Sequence, residues 1–168
     1  MSSAASHTII PLKGLGQGSH CFDFVLGTDF FEAFGNQEIG NPNLQAHVLL
    51  EKQGSSLRLH VSVEGSLVQP CDRCLADVVL PIHYQAPLMV KFGQLPEEEA
   101  ESEELMMLAP HEAEIDLSQY LYDSICLSLP LQVLHPEGAC DPEMQKKLNE
   151  LCKGEVYPPQ SNPQDIIN

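Results

Sequence analysis

The chain has 168 residues, enough for one domain with a real hydrophobic core. Its 43% hydrophobic and 19% charged residues are typical of a globular protein and exclude a fully disordered one. The formal net charge of −16 repels phosphate backbones, so a basic partner is a better expectation than direct nucleic-acid binding. No apolar run is long enough for a transmembrane helix, and residues 1–6, expected to be flexible, lack the features of a signal peptide. We therefore expect a cytoplasmic protein whose six cysteines stay reduced.

Alternating apolar and polar residues predict strands in the first part of a single domain that we place at residues 7–156. The predicted strands lie within 7–26, where two surround a glycine-rich hairpin loop, and at Leu44–Leu50, Leu57–Val63 and Val78–Phe92, the last being one strand or two. A short helix is predicted at Asp29–Phe34, and Gly65 is a plausible bulge. The short connections and one-sided burial predict an antiparallel meander, with no parallel nucleotide-binding sheet.

The composition changes between residues 95 and 114. Six glutamates fall within eight residues: Glu97, Glu98, Glu99, Glu101, Glu103 and Glu104. Such a run is typical of a mobile, solvated loop, which is our prediction for 95–114, with a carboxylate metal cluster as the alternative.

Two helices are predicted after the acidic segment. Asp116 is a good N-cap, with Gln119 in capping-box position, for a long helix that ends at Leu129–Pro130. Its apolar stripe indicates packing against the sheet. A short helix is predicted from Pro142 to Cys152, and residues 157–168 are expected to be a disordered tail. The predicted fold class is therefore α+β: an antiparallel, curved sheet with one long helix packed across it and a short C-terminal helix.

The sharpest motif is the pair Cys71 and Cys74 at a predicted turn between two strands. Two thiolates at this spacing can bind one soft ion, and a structural zinc site needs two further ligands. His135 and Cys140 offer them, in a loop that follows the long helix. Arg73 favours the thiolate form of its neighbours. A structural zinc site of these four ligands, reduced thiols that only pack, a site that has lost its metal and a redox pair all remain open.

No catalytic set is convincing. Any Ser-His-Asp trio has to be assembled from unrelated segments of the sequence. Paired carboxylates are plentiful but lie mostly in the predicted mobile loop, where preorganised catalysis is difficult.

The order of the motifs resembles a known family. A strand ends in Pro70-Cys71-Asp72-Arg73-Cys74-Leu75, an acidic loop follows, Glu114-Ile115-Asp116-Leu117 opens a helix, and Leu127-Ser128-Leu129-Pro130-Leu131 closes it before His135 and Cys140. Over residues 10–145, this arrangement resembles the YceD family, the large ribosomal RNA subunit accumulation proteins. The resemblance implies a bacterial-type cytoplasmic protein, with relatives in plastids, needed for normal accumulation of large-subunit ribosomal RNA. It also implies that Cys71, Arg73 and Cys74 are the family signature, and that His135 with Cys140 match a second pair found in some members.

Charge and resemblance together predict how the protein acts. A protein that binds RNA directly usually carries a basic patch or stacking aromatics, whereas this chain has eight Lys and Arg against 24 Asp and Glu. We expect a non-catalytic accessory factor for large ribosomal subunit biogenesis that acts through a basic protein, such as a ribosomal protein or an rRNA-processing factor. Arg73 and the glutamates from Glu97 to Glu104 are candidates for the partner contact. The alternatives are a metal- or thiol-dependent RNA-processing enzyme and a metal-free scaffold for protein interactions.

Overall fold

The structure is a computed structural model that describes residues 8–93 and 104–152. In these residues the elements are β1 (Ile9–Pro11), β2 (Gly18–Leu26), α1 (Thr28–Ala33), β3 (Gly40–Gln53), β4 (Ser56–Pro70), β5 (Asp77–Phe92), β6 (Glu104–Leu108), β7 (Glu114–Asp116), α2 (Ser118–Ser128) and α3 (Pro142–Leu151). The predictions for 1–6, for 157–168 and for the glutamates from Glu97 to Glu103 lie outside the described residues. None of the described helices has the length and hydropathy needed to cross a membrane.

The main sheet has five strands in the order β2-β3-β4-β5-β6. The first four form an antiparallel meander, as the alternating pattern predicts. Val78–Phe92 lies in one continuous strand, and β6 adds to its edge in the parallel direction, with Leu88 opposite Glu104. The α+β class and the mostly antiparallel sheet are therefore confirmed, whereas the curvature of the sheet stays a prediction.

The prediction of a hairpin within residues 7–26 is wrong, because β1 and β2 belong to different sheets. β1 pairs with β7, with Ile10 opposite Ile115, and both side chains are fully buried in the main core. Thr8 Oγ1 also lies 2.5 Å from Ser118 Oγ in a buried contact that ties the start of β1 to α2. A periodic pattern identifies a strand but not its partner, so this long-range pairing has no local signal.

The segment predicted as a mobile loop, 95–114, contains a strand. Glu104–Leu108 forms β6, and Met106 and Leu108 pack against the main core. The prediction was wrong at this point because the acidic run hides the short apolar stretch that follows it.

The carboxylate of Glu104, a predicted partner contact, is bonded within the protein. Its Oε2 accepts hydrogen bonds from the hydroxyls of Tyr120 at 2.6 Å and Tyr84 at 3.3 Å. These bonds join the start of β6 to α2 and β5. Burial raises the pKa of Tyr120, and the hydrogen bond to Glu104 raises it further, so its hydroxyl stays protonated and donates.

We expect Tyr120→Phe to lower the free energy of unfolding by about 2 kcal/mol, because it removes a donor to a charged acceptor. Urea denaturation measures this loss, and hydrogen exchange should show faster exchange in β6. Tyr84→Phe removes the longer bond to the same carboxylate and should have the smaller effect. Unchanged exchange in β6 would contradict this role for the Tyr120 hydroxyl.

The helix predicted with Asp116 as its N-cap begins one residue later than expected, at Ser118, because Glu114–Asp116 pairs with β1. In place of the predicted capping box, the Asp116 carboxylate accepts from the Ser118 N–H at 2.8 Å. α2 buries Leu121 and Ile125 in the main core and is 11 residues long. The packing of one long helix across the sheet stays a prediction.

The short C-terminal helix forms as predicted. Asp141 Oδ1 accepts from the Met144 N–H at 2.8 Å, and Pro142 occupies the first turn.

Gly65 lies in the middle of β4, opposite Leu44 of β3. Its φ of +142° lies in a region that glycine adopts readily and other residues rarely do. The pairing of β3 with β4 shifts register beside it, between Gly40 and Asn43. Here the backbones approach so closely that only a residue without a side chain fits.

Candidate metal centre

The turn that joins β4 to β5 holds the first cysteine pair. The Cys71 N–H donates to the Ala76 carbonyl at 2.8 Å, and the Leu75 N–H donates to the Cys71 carbonyl at 2.9 Å. The turn requires a left-handed backbone at Leu75, whose φ is +63°. Cys71 and Cys74 are both buried.

A loop that follows α2 is joined to this turn by paired hydrogen bonds. The Asp72 N–H donates to the Val133 carbonyl, and Asp72 Oδ2 accepts from the Val133 N–H, both at 2.7 Å. The Val133 side chain is buried in a small cluster with the cysteines, and Met144 of α3 packs against that cluster. Two segments about 60 residues apart in sequence are thereby held together.

The four predicted ligands come together. One ligand atom each from Cys71, Cys74, His135 and Cys140 lies within 4.8 Å of the others, and Cys74 Sγ is 3.3 Å from His135 Nδ1. A tetrahedral zinc ion places its ligand atoms about 3.5–4 Å apart, so closing on the ion needs only small movements. Three sulfurs and one imidazole nitrogen are a donor set typical of structural zinc. Donor chemistry and spacing therefore both fit zinc.

The imidazole of His135 is oriented for this role. Its Nε2 lies 3.1 Å from the Asp77 carbonyl oxygen, to which it donates. In the neutral ring this bond leaves the lone pair of Nδ1, the atom that faces Cys74, free to bind a metal. Histidine ligands in metal sites are commonly fixed in this way.

Backbone N–H groups favour the thiolate form of the first cysteine pair. Burial raises the pKa of Cys71, but backbone hydrogen bonds from Cys74, Arg73 and His135 outweigh it and lower the pKa to about 6. The pKa of Cys74 is also lowered, chiefly by the backbone N–H of Asp141. Hydrogen bonding to the Cys71 sulfur raises the pKa of His135. Because thiolates rather than thiols bind metals, the turn is preorganised for an ion.

Arg73, predicted to favour the thiolates, lies beside Cys140, the cysteine of the second pair of candidate ligands. Its Nη1 is 4.0 Å from Cys140 Sγ, and burial raises the pKa of that thiol. A cation at this position favours the thiolate form that Cys140 needs in order to bind a metal. Its role in partner binding stays a prediction.

The contacts that support the ligands have little signal in the sequence. Asp72 lies between the two cysteines, so an acidic residue inside the turn was an available signal. The contacts of Val133 and of the Asp77 carbonyl have no signal in the sequence, because both are made by backbone groups that any residue has.

We expect Asp72→Ala to weaken zinc binding by about 10–100-fold, because supporting contacts of this kind hold ligands in place. The lost hydrogen bond should also lower the free energy of unfolding by about 1 kcal/mol. A competition titration against a zinc chelator and urea denaturation measure the two effects. Asp77→Ala is the matched control, since it keeps the carbonyl that binds His135. Equal zinc affinity in both variants would exclude a supporting role for Asp72.

Comparison with protein families gives one match. A family model described as large ribosomal RNA subunit accumulation protein YceD matches residues 59–162, more than half of the chain. The match begins within β4 and includes all four candidate ligands, but it does not extend to the first strands, which the resemblance over residues 10–145 includes. Comparisons with curated proteins and with solved structures gave no significant match. The chain belongs to the YceD family of large ribosomal RNA subunit accumulation proteins.

Proposed function

We propose that this protein is a non-catalytic, cytoplasmic accessory factor for the large ribosomal subunit, and that it acts through a basic protein partner. The family description supports a role in the accumulation of large-subunit ribosomal RNA. The net charge of −16 is the observation that favours a basic protein as the partner over RNA itself.

The aromatic cluster formed by α1 and α2 also gives no platform for RNA bases. Single-stranded RNA is commonly bound by exposed rings on which bases stack. Phe34 instead stacks on Tyr122 with ring centroids 4.2 Å apart, and Phe30 and Phe31 are buried. These four rings stabilise the packing of α1 against α2 and are not free to receive bases.

One observation favours the alternative of a thiol-dependent enzyme. The lowered pKa of Cys71 beside the imidazole of His135 resembles an activated nucleophile. A nucleophilic cysteine must also meet its substrate, and Cys71 is fully buried. Burial together with two further sulfurs supports the role of a structural metal ligand.

Two purified probes test the proposal at about 0.15 M salt: large-subunit ribosomal proteins freed of RNA, and ribosomal RNA freed of protein. We expect the immobilised protein to retain basic proteins from the first probe and little of the second. Equal affinity for the naked RNA would overturn the proposal. Cleavage or modification of precursor RNA by the purified protein alone would establish the enzymatic alternative.

The acidic run should act on the rate of association. Replacing Glu97, Glu98, Glu99, Glu101 and Glu103 by glutamine should slow binding to the ribosomal proteins by about 10-fold, because the run attracts the basic partner at a distance. Glu104 is kept, because its carboxylate accepts hydrogen bonds from Tyr84 and Tyr120. A control variant with the same change in net charge replaces five acids elsewhere: Glu32, Glu38, Glu112, Glu114 and Glu150. Stopped-flow measurements should show a smaller effect for the control. Equal slowing by both variants would mean that only net charge matters.

A further inference from the structure

The strand β2 forms one edge of the main sheet. It pairs with β3 along nine residues, from Gly18 opposite Lys52 to Leu26 opposite Leu44, without a shift in register. In the part of the chain that the structure describes, no strand pairs with the other side of β2. Every second residue of an antiparallel strand directs its N–H and C=O groups to the same side, so β2 presents a row of these groups away from β3. Such a row can pair with an added strand.

The free edge of β2 lacks the features that usually protect edge strands, which are short length, bulges, proline and lysine. The other edge strands among the described residues are short, since β6 has five residues and β1 and β7 have three each. β2 has nine residues, with no proline, lysine or arginine and a single carboxylate, that of Asp23. It is therefore the edge of this fold that is open to strand addition.

The inner face of the sheet is less completely covered at β2 than at the neighbouring strand. Ala46 and Val48 of β3 are at most 1% exposed. Phe24 and Phe22 lie opposite them on β2, and Phe24 is 9% exposed while Phe22 is only partly buried against the core. An apolar side chain beside Phe22 on an added strand would continue this hydrophobic layer.

The carboxylates near the free edge can be located from the register and from α1. Asp23 lies in the middle of β2 on the outer face, where its side chain is 76% exposed and its Oδ1 is 2.5 Å from His47 Nδ1. The helix α1, which follows β2 and contacts it, adds two exposed carboxylates, Asp29 and Glu32. Glu51 lies on β3, opposite the second residue of β2. The middle of the edge and its Leu26 end are therefore acidic.

The cations near β2 lie at its opposite end. Lys52 is opposite Gly18, the first residue of β2, and its amine donates to the Leu15 carbonyl oxygen. Lys13 lines the same cavity as Lys52 at this end. Arg58 is opposite Glu51 on β4, two strands away from the edge. No lysine or arginine therefore lies opposite Asp23 in the register of the sheet.

This distribution of charge indicates which strand the edge accepts. Opposite charges on neighbouring strands stabilise a sheet, so Asp23 favours lysine or arginine on the added strand. Two copies of β2 paired about Phe22 would place the two Asp23 carboxylates diagonally across from each other, in chains that each carry a net charge of −16. RNA has no peptide groups with which to complete the pairing.

We propose that the free edge of β2 binds an extended segment of the basic partner as a sixth strand of the main sheet. The segment alternates apolar side chains, which cover Phe22, with lysines or arginines, which face Asp23. This inference rests on the proposed function and specifies where the partner binds and in which conformation. Backbone hydrogen bonds supply much of the affinity, and the alternating side chains supply the selectivity.

Charge reversal at the edge tests the inference, with purified, RNA-free large-subunit ribosomal proteins as the probe. We expect Asp23→Lys to weaken binding by about 10-fold, because a like charge then faces the basic segment. Glu64→Lys is the matched control, since Glu64 is also an exposed carboxylate beside a histidine, His83, but lies on β4, two strands away from the edge. It makes the same change in net charge and should bind nearly as tightly as the wild type. Equal losses in both variants, or none in Asp23→Lys, would overturn the inference.

Hydrogen exchange locates the added strand, because it reports backbone hydrogen bonds. We expect the amides of β2 to exchange more slowly when the ribosomal proteins are bound, and those of β4, which is paired on both sides, to change little. Unchanged exchange in β2 while the proteins bind would overturn the inference and leave the proposed function intact. Absence of binding by the wild type would overturn both.

A photo-crosslinking residue at position 21, which is exposed on β2, identifies the occupant. Position 83 on β5, three strands away from β2, is the control and should give few crosslinks. We expect crosslinks from position 21 to a segment of a ribosomal protein that alternates apolar and basic residues. Crosslinks only to the chain itself, whether to a second copy or to residues 153–168, would overturn the inference.

Discussion

Removal of zinc should lower the midpoint of thermal unfolding by about 10 °C or more, because a structural metal stabilises only the folded state. The candidate centre joins the turn between β4 and β5 to the loop before α3, so its loss frees both segments. A chelator added to the wild type and the substitution Cys71→Ser should have the same effect. Elemental analysis should find about one zinc per chain in the wild type and much less in the variant.

The control for this experiment is Cys21→Ser, since Cys21 is exposed on β2 and is not among the candidate ligands. It should leave both the zinc content and the melting temperature unchanged. A chelator that changes nothing, together with a sample free of zinc, would mean that the cysteines only pack. Loss of RNA turnover by Cys71→Ser with an unchanged melting temperature would instead favour the enzymatic alternative.

Gly65→Ala should lower the free energy of unfolding by about 3 kcal/mol or more, because two penalties act at one position. A Cβ at Gly65 would lie 2.1 Å from the Asn43 carbonyl oxygen, a backbone atom held by the pairing of β3 with β4. The φ of +142° is itself unfavourable for alanine. Urea denaturation measures the loss.

Gly18→Ala separates the two penalties. Gly18 also has a positive φ, +113°, but a Cβ there would meet no atom within 4 Å. Its substitution should lower the free energy of unfolding by only about 1 kcal/mol. Similar losses at both positions would show that backbone conformation, and not the contact with Asn43, limits Gly65.

The meander could be predicted because its strands are buried on one face. Leu57, Leu59, Val61 and Val63 alternate with polar residues, and all four are at most 2% exposed. α3 could be predicted because a cap is a local feature, in which Asp141 binds a backbone N–H three residues away. Local patterns of this kind require no knowledge of the rest of the fold.

Pairings over long distances could not be predicted in the same way. β1 and β7 are three residues each, too short for a periodic signal, and their partnership depends on the shared burial of Ile10 and Ile115. The short strand β6 is obscured by the glutamates before it. The candidate ligands could be identified by residue type and spacing, but their supporting contacts from Asp72 and Val133 could not.

The pairing of β1 with β7 has a consequence for synthesis of the chain. About 100 residues separate Ile10 from Ile115, so β1 has no partner during most of translation. At about 5–20 residues per second, the N-terminal strand waits roughly 5–20 s for β7 to leave the ribosome. The candidate zinc ligands His135 and Cys140 emerge later still, so the candidate metal centre can assemble only after β7 has become available to β1.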